Sequence, residues 1–133
     1  MAMPYRLEFY EEETGRKPVL DWITKELDRR KRRHLGTAMR EVLEEQGIGV
    51  CGTSFGRHLG GSLFEFRVRE EDFLLRVFCH AYGDQLVLLL GGYDKGQDPS
   101  RRRQETEIKE ARRRLRLWQE REGTSKAGGD RDR

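Results

Sequence analysis

The segment 63–69 constrains the fold most, because it alternates strictly between apolar and charged side chains and a second strand-like segment, 73–80, follows after an acidic turn. Side chains in a strand point alternately to the two faces of a sheet, so this pattern predicts an antiparallel hairpin. The face that carries the phenylalanines is wholly apolar, and we predict that it forms the core. If the hairpin closes over residues 70–73, its other face carries three cross-strand pairs, namely Arg69 with Leu74, Arg67 with Arg76, and Glu65 with Phe78.

The predicted register places Arg67 directly opposite Arg76. Opposed residues on one face lie about 4.5–5.5 Å apart at Cβ, and like charges in such a pair are destabilising. An anion bound between the two guanidinium groups would resolve the conflict. The alternative is that Glu65 and the acidic residues of the turn neutralise the pair within the protein.

The remaining elements are predicted from hydrophobic periodicity and from turn residues. The apolar run that ends at Leu90 is typical of a central strand covered on both faces. Asp98 is expected to cap the last helix, with Pro99 at its first position. In chain order the elements are a strand at 5–9, two helices between 18 and 46, an irregular glycine-rich stretch at 47–62, the hairpin, a strand at 85–90, and a helix that begins at Pro99.

This order, strand–helix–helix–strand–strand–strand–helix, predicts an α+β fold with a mostly antiparallel sheet and the helices packed on one side of it. We expect one domain over residues 1–122 and a disordered polar tail over 123–133. A single buried cluster is expected beneath the helices, formed by Trp22, Val42, Phe64, Phe66, Val77, Leu88 and Leu115.

Basic residues are unevenly distributed along the chain. The formal net charge is +3, but residues 101–121 contain nine basic and four acidic side chains, and residues 29–33 are all basic. Arg101, Arg102 and Arg103 occupy the first turn of the last helix, where each cation typically costs about 0.3–1 kcal/mol. This distribution favours a polyanionic partner, most often nucleic acid. The alternative is that these cations simply form solvated helix faces.

The two cysteines, Cys51 and Cys79, show no metal-ligand spacing, so they are expected to be packing thiols and no metal site is expected. The N-terminus lacks the apolar stretch of a signal peptide, and the longest apolar run, 86–90, is far too short to cross a bilayer. We therefore expect a cytoplasmic protein without a membrane partner.

Three segments together resemble the RelE/ParE toxin superfamily, in its phage-derived, HigB-like subgroup. Residues 57–69 resemble the start of that superfamily's antiparallel sheet, and residues 75–78 resemble the strand that bears its recurrent arginine. Residues 88–95 resemble its last strand and the aromatic–lysine turn that follows. The order of elements agrees over about residues 4–120.

The resemblance implies the toxin of a two-gene toxin–antitoxin system, with a small helix-turn-helix antitoxin encoded by the adjacent gene. Many such toxins cut messenger RNA on the ribosome without a metal or other cofactor, because the 2′-hydroxyl of the RNA attacks the adjacent phosphate. Arginine suits the phosphate, since its planar fork donates two hydrogen bonds and stays charged. The candidate residues are Arg67 and Arg76 on the scissile phosphate, Lys95 as the match to the lysine after the superfamily's aromatic, Glu65 or His80 as proton acceptor, Tyr93 as a stacking platform, and Arg69, Arg101, Arg102 and Arg103 as RNA contacts.

Two other functions stay open from the sequence. ParE-like relatives share the fold and inhibit DNA gyrase by binding it, which requires no RNA-cutting constellation. A non-catalytic, phage-derived RNA-binding protein is the other alternative. Arg67, Arg76 and Lys95 favour the nuclease.

Overall fold

The computed structural model describes residues 4–83 and 85–130, with side chains as far as Gly123. A five-stranded sheet forms its centre, with the strand order β1-β5-β4-β3-β2. β1 runs parallel to β5, and every other neighbouring pair is antiparallel. The strands are β1 (Arg6–Phe9), β2 (Gly56–Gly60), β3 (Leu63–Arg69), β4 (Leu74–Tyr82) and β5 (Leu86–Asp94).

Two helical segments connect β1 to β2. The first begins with Pro18 as α1 (Pro18–Asp21) and continues as a π-helical turn, Trp22–Glu26. The second begins after Asp28, whose carboxylate accepts a hydrogen bond from the backbone N–H of Lys31 at 2.9 Å and so caps the helix. It comprises α2 (Arg29–Ala38), a π-helical turn (Met39–Leu43) and α3 (Glu44–Gln46), and a 3₁₀ segment (Gly47–Gly52) follows it.

The register predicted for the central hairpin is confirmed. In β3 and β4, Arg67 lies opposite Arg76, Glu65 opposite Phe78, and Arg69 opposite Leu74. The α+β class and the mostly antiparallel sheet are confirmed as well. The period of two is a strong signal here, because a slip of one residue would expose every phenylalanine of β3.

The prediction of an irregular stretch over residues 47–62 was wrong in its second half. β2 pairs antiparallel with β3 and forms one edge of the sheet, with Arg57 opposite Glu65. The first residue of this strand is Gly56, and glycine is required there because a Cβ atom would lie 2.6 Å from the backbone of Val50. Glycine therefore marks a close approach of two chain segments at this position and not the absence of structure.

The helices do not all lie on one side of the sheet, and this part of the fold prediction was wrong. The segments from α1 to α3 cover one face, where Trp22, Leu35 and Leu43 pack with Phe64 and Phe66. The last helix, α4 (Arg101–Asp130), covers the other face. The expected single cluster is accordingly two clusters, and the second contains Leu88 and Leu115 together with Phe78, Leu90, Ala111 and Trp118.

The last helix also begins two residues later than predicted. Ser100 caps it, since its hydroxyl accepts a hydrogen bond from the backbone N–H of Arg103 at 3.1 Å. Asp98 instead accepts from the N–H of Ser100 at 3.1 Å. The expectation of a disordered tail over 123–133 falls on residues whose side chains, and at 131–133 also the backbone, lie outside the described residues, and it stays a prediction.

The first core cluster predicts the effect of a truncation at its centre. Phe66 is fully buried and stacks on Phe55, so Phe66→Ala should lower the free energy of unfolding by about 3–5 kcal/mol. Ile48 is 41% exposed, so Ile48→Ala should change it by less than about 0.5 kcal/mol. Urea unfolding of both variants measures the difference. Equal stabilities would show that the face bearing Phe66 is not the core.

Candidate functional site

The strand register brings the polar side chains of four strands together on the face that α4 covers only in part. Arg76 lies between Arg67 of β3 and Tyr93 of β5, and Arg57 of β2 lies opposite Glu65. The backbone N–H of Lys95 donates to the carbonyl of Leu74 at 2.8 Å, which continues the row that begins with Arg69. We call this set the arginine face, and it consists of Arg57, Glu65, Arg67, Arg69, Arg76, Tyr93 and Lys95.

A buried ion pair lies at the centre of the arginine face. The Nε atom of Arg76 is 2.7 Å from Oε1 of Glu65, and both side chains are almost completely buried. Arg57, which is exposed, approaches the other carboxylate oxygen at 3.8 Å. Glu65 thus neutralises Arg76 from within the protein, which is part of the alternative that the sequence left open to a bound anion between Arg67 and Arg76. Glu70 and Asp72 of the acidic turn contact other residues, His34 and Arg30.

The arginine face nevertheless contains unused hydrogen-bonding capacity. Nε of Arg76 and Oε1 of Glu65 are 2.7 Å apart and form an ion pair, but their geometry is not that of a well-formed hydrogen bond. Buried polar atoms in proteins nearly always have a hydrogen-bond partner, so such a concentration indicates a site that a ligand completes. Among the described residues of the arginine face, the buried atoms that lack a well-formed hydrogen bond are both carboxylate oxygens of Glu65, Nε of Arg67, and Nε and Nη1 of Arg76. Of these, Nε of Arg76 and Oε1 of Glu65 are in ionic contact with each other.

The pKa of Lys95 reports the electrostatics of the arginine face. It is lowered, first by the charge of Arg76, then by burial and by the charges of Arg57 and Arg69, while Glu65 acts in the opposite direction. A cation whose pKa is lowered by its neighbours lies in a region of positive potential. This surface therefore attracts anions.

Tyr93 does not offer a free ring face. It is fully buried, and its ring stacks on Phe78 with the centroids 6.1 Å apart and the planes at 16°. The guanidinium carbon of Arg103 lies 5.2 Å from the ring centroid. Burial raises the pKa of the Tyr93 hydroxyl. In this arrangement Tyr93 supports Arg76 and Arg103, and no ring face is left for a base.

His80 lies apart from the arginines. Phe78 separates it from Arg76 along β4, so the two residues are about 13 Å apart along the strand. Its Nδ1 atom is 2.8 Å from the carbonyl oxygen of Ser62, and Trp118 of α4 packs edge-on against its ring at 5.8 Å. His80 thus has partners within the fold, beneath the last helix.

The three arginines of the first turn of α4 differ in their surroundings. Arg103 pairs with Glu107 at 2.9 Å and covers Tyr93. Arg101 and Arg102 are exposed and have no ion-pair partner within residues 4–83 and 85–123. Further along α4, Arg112 donates to the carbonyls of residues 59 and 60, so part of the charge of this helix serves packing.

Sequence reasoning missed Arg57 as a member of the site. Its strand, β2, is bounded by Gly56 and Gly60, which hide the alternating pattern that revealed β3 and β4. The available signal was the short spacing to Ser62, which allows a tight turn back onto β3. Among the residues whose side chains are described, no group of three or more His, Cys, Asp or Glu is arranged to hold a metal ion, and no helix has the length and apolar character of a membrane span.

Comparison with known proteins identifies the family. The family model described as "Phage derived protein Gp49-like (DUF891)" matches residues 21–116, which include the whole arginine face. The chain belongs to this Gp49-like family. The family is RelE-like and toxin-associated, so the Gp49-like chain is a toxin-like protein. A search of curated proteins gave no match.

The buried ion pair of the Gp49-like protein predicts a specific pattern of stabilities. Arg76→Ala removes the 2.7 Å partner of the buried Glu65 carboxylate and leaves the exposed Arg57 at 3.8 Å, so it should cost about 3–5 kcal/mol of unfolding free energy. The double variant Glu65→Leu/Arg76→Met removes both charges and should recover most of that loss. Arg67→Ala, which breaks no ion pair in the described part of the chain, serves as the control, and its unfolding free energy should be close to that of the parent. Urea unfolding gives the three values, and a double variant no more stable than Arg76→Ala would contradict the pairing.

Proposed function

We propose that this protein is the toxin of a HigB-like toxin–antitoxin system and that it cuts messenger RNA on the ribosome. The reaction is attack of the RNA 2′-hydroxyl on the adjacent phosphate, assisted by side chains alone. The observation that carries the proposal is the set of buried guanidinium and carboxylate atoms without hydrogen-bond partners on the arginine face. Membership of a toxin-associated family supports it.

Arg67 and Arg76 are assigned to the scissile phosphate. They lie directly opposite each other on β3 and β4, and each has a buried nitrogen without a partner. A phosphate between them would accept these hydrogen bonds and offset the repulsion of the two cations. Glu65 keeps Arg76 in position, so the donors are oriented before the charge on the phosphate develops, which is the arrangement that stabilises a transition state most.

Glu65 is assigned as the proton acceptor and Lys95 as the proton donor. Oε1 of Glu65 is in contact with Arg76, whereas Oε2 has no hydrogen-bond partner among the described residues and lies 3.8 Å from Nε of Arg57, so Oε2 is the oxygen that would accept the proton of the 2′-hydroxyl. Lys95 has a lowered pKa, which makes its ammonium a better acid for the departing 5′-oxygen. His80 is left out of this proposal, because its contacts with Ser62 and Trp118 lie beneath α4.

The flanking nucleotides are assigned to the remaining cations. Arg57 and Arg69 are exposed at the edge of the arginine face, and Arg101 and Arg102 are exposed at the start of α4. These residues would contact phosphates on either side of the cleaved bond, with Arg103 and Tyr93 as support. The proposed partners are messenger RNA on a cytoplasmic ribosome and a small helix-turn-helix antitoxin.

Induced expression of the parent should halt growth and translation, and the purified protein should cut messenger RNA on programmed ribosomes. Arg67→Ala should reduce cleavage by about 10²–10³, because it removes one preorganised donor to the phosphate. Arg29→Ala is the matched control, since Arg29 is an exposed arginine on α2, behind the opposite face of the sheet. In cells, incorporation of labelled amino acids measures translation, and incorporation of labelled thymidine measures DNA synthesis.

Two results would contradict this proposal. Continued translation with a collapse of DNA synthesis would indicate a gyrase inhibitor. Full cleavage by Arg67→Ala, with intact folding, would remove Arg67 from the site.

The pH dependence of cleavage tests the role of Lys95. A donor must carry its proton, so the rate should fall as the pH rises through the pKa of Lys95, and this pKa is below the ordinary lysine value. Arg69→Gln removes one of the charges that lower it, so the alkaline limb should move to higher pH. The pH profile of kcat/KM, measured for the parent and for Arg69→Gln, gives the position of the alkaline limb in each. An alkaline limb that persists unchanged in Lys95→Met would assign the proton donor to another group.

A further inference from the structure

Three consecutive residues of the basic run of α2, Arg30, Lys31 and Arg32, bind other segments of the fold. Arg30 binds Asp72 of the β3–β4 turn through two hydrogen bonds of 2.7 and 3.0 Å. Arg32 donates to three carbonyls at the end of the preceding helical segment, at Ile23, Thr24 and Leu27. Lys31, between them, reaches the end of β5. Three consecutive cations therefore fix three different segments that approach α2.

Lys31 forms a buried ion pair with Asp94, the last residue of β5. Nζ of Lys31 is 2.7 Å from Oδ2 of Asp94, and the two side chains are 12% and 8% exposed. The other carboxylate oxygen of Asp94 accepts a hydrogen bond from the N–H of Gly96 at 2.9 Å. Its backbone carbonyl accepts from Gln97 at 3.1 Å and from Asp98 at 3.3 Å. Asp94 thus organises the whole turn that follows β5.

Lys95 lies within this turn, on the opposite face of the sheet from Asp94. The side chain of Asp94 points towards α2, whereas Lys95 lies in the field of Arg76 and Arg69. The ion pair between Lys31 and Asp94, on the α2 side of the sheet, therefore fixes the turn that carries Lys95 on the other side. Because Lys95 directly follows Asp94 and a rigid peptide bond joins them, a shift of Asp94 would move Lys95 with it.

We propose that Lys31 and Asp94 are positioning residues, whose buried ion pair holds the turn after β5 so that the Lys95 ammonium stays within the arginine face. A buried ion pair is poor evidence for stability, because apolar residues of similar volume often replace one without loss. The geometry of the turn is what the pair determines. The importance of this for catalysis rests on the proposed function, in which Lys95 donates the proton.

The position of Lys95 has a measurable electrostatic consequence. The charged groups that face it are Arg76, Arg57 and Arg69, which lower its pKa, and Glu65, which raises it. If the turn relaxes, the ammonium moves away from the cations and towards water. The pKa of Lys95 should then rise towards the ordinary lysine value of about 10.4.

The test uses the double variant Lys31→Met/Asp94→Leu, which removes both buried charges and so has little direct electrostatic effect on Lys95. NMR titration of lysine labelled at Cε, with the signal assigned through Lys95→Arg, should show a higher pKa for Lys95 than in the parent. Asp94→Leu alone separates the causes. Loss of a negative charge would by itself lower the pKa of Lys95, so a rise in this variant reports movement of the turn.

Two further variants complete the experiment. Arg30→Gln breaks the neighbouring ion pair with Asp72, and the pKa of Lys95 should stay at the parent value. Lys31→Arg keeps a cation opposite Asp94 and should retain the low pKa. In cleavage, the double variant should lose about tenfold in kcat, part of the 10²–10⁴ that a general acid supplies, with little change in KM.

A folded double variant whose Lys95 pKa equals that of the parent would overturn the positioning role. The titration requires no activity, so it decides this question even if the parent does not cut RNA. Absence of cleavage in the parent would overturn the proposed function and leave the NMR result to stand alone.

Discussion

The arrangement of charge on the arginine face depends on one buried contact, the ion pair between Glu65 and Arg76 on adjacent strands. Removing two charges from water costs several kcal/mol per ion, and this cost is recovered only when the pair is well satisfied by further hydrogen bonds. Here it is not, because Glu65 and Arg76 both retain buried atoms without hydrogen-bond partners. A sheet face built for stability alone would carry apolar residues at these two positions. The contact therefore serves to hold the charge of Arg76 in a fixed orientation, beside Arg67, which has no ion-pair partner among the described residues.

The same sheet face is divided into two halves by α4. Phe78, Leu88 and Trp118 form an apolar half beneath the helix, and His80 is enclosed with them. The arginines occupy the other half, where Arg67 is partly exposed and Arg69 is exposed. Alternation along β4 places Arg76, Phe78 and His80 on one face, but it does not reveal where a helix from the far end of the chain will lie. For this reason His80 was a reasonable candidate from the sequence and is a packed residue in the fold.

The local patterns predicted the hairpin register, since Phe64, Phe66 and Val68 leave only one alignment that buries them. The mistaken prediction that all helices lie on one side of the sheet was avoidable, because the apolar run that ends at Leu90 already requires cover on both faces of β5. β2 and Arg57 were harder to predict, since glycines bound that strand. The partners of Arg30, Lys31 and Arg32 lie 5 to 63 positions away in the chain and follow from tertiary packing. A run of cations in a sequence therefore does not distinguish a nucleic-acid-binding surface from residues that form ion pairs and hydrogen bonds with other segments of the same chain.

Among the cations of the arginine face, Lys95 is the one whose protonation state is able to change when the local charge changes. Arginine keeps its proton at any physiological pH, so the repulsion between Arg67 and Arg76 is not relieved by deprotonation. Lys95 is able to lose its proton, and its pKa is lowered because of the same neighbours. A phosphate bound between the arginines would reverse that effect, since its negative charge would raise the pKa of Lys95. Binding of an anionic substrate would thereby favour the protonated form of Lys95, which is the form that the leaving oxygen requires, and departure of the product would reverse this effect.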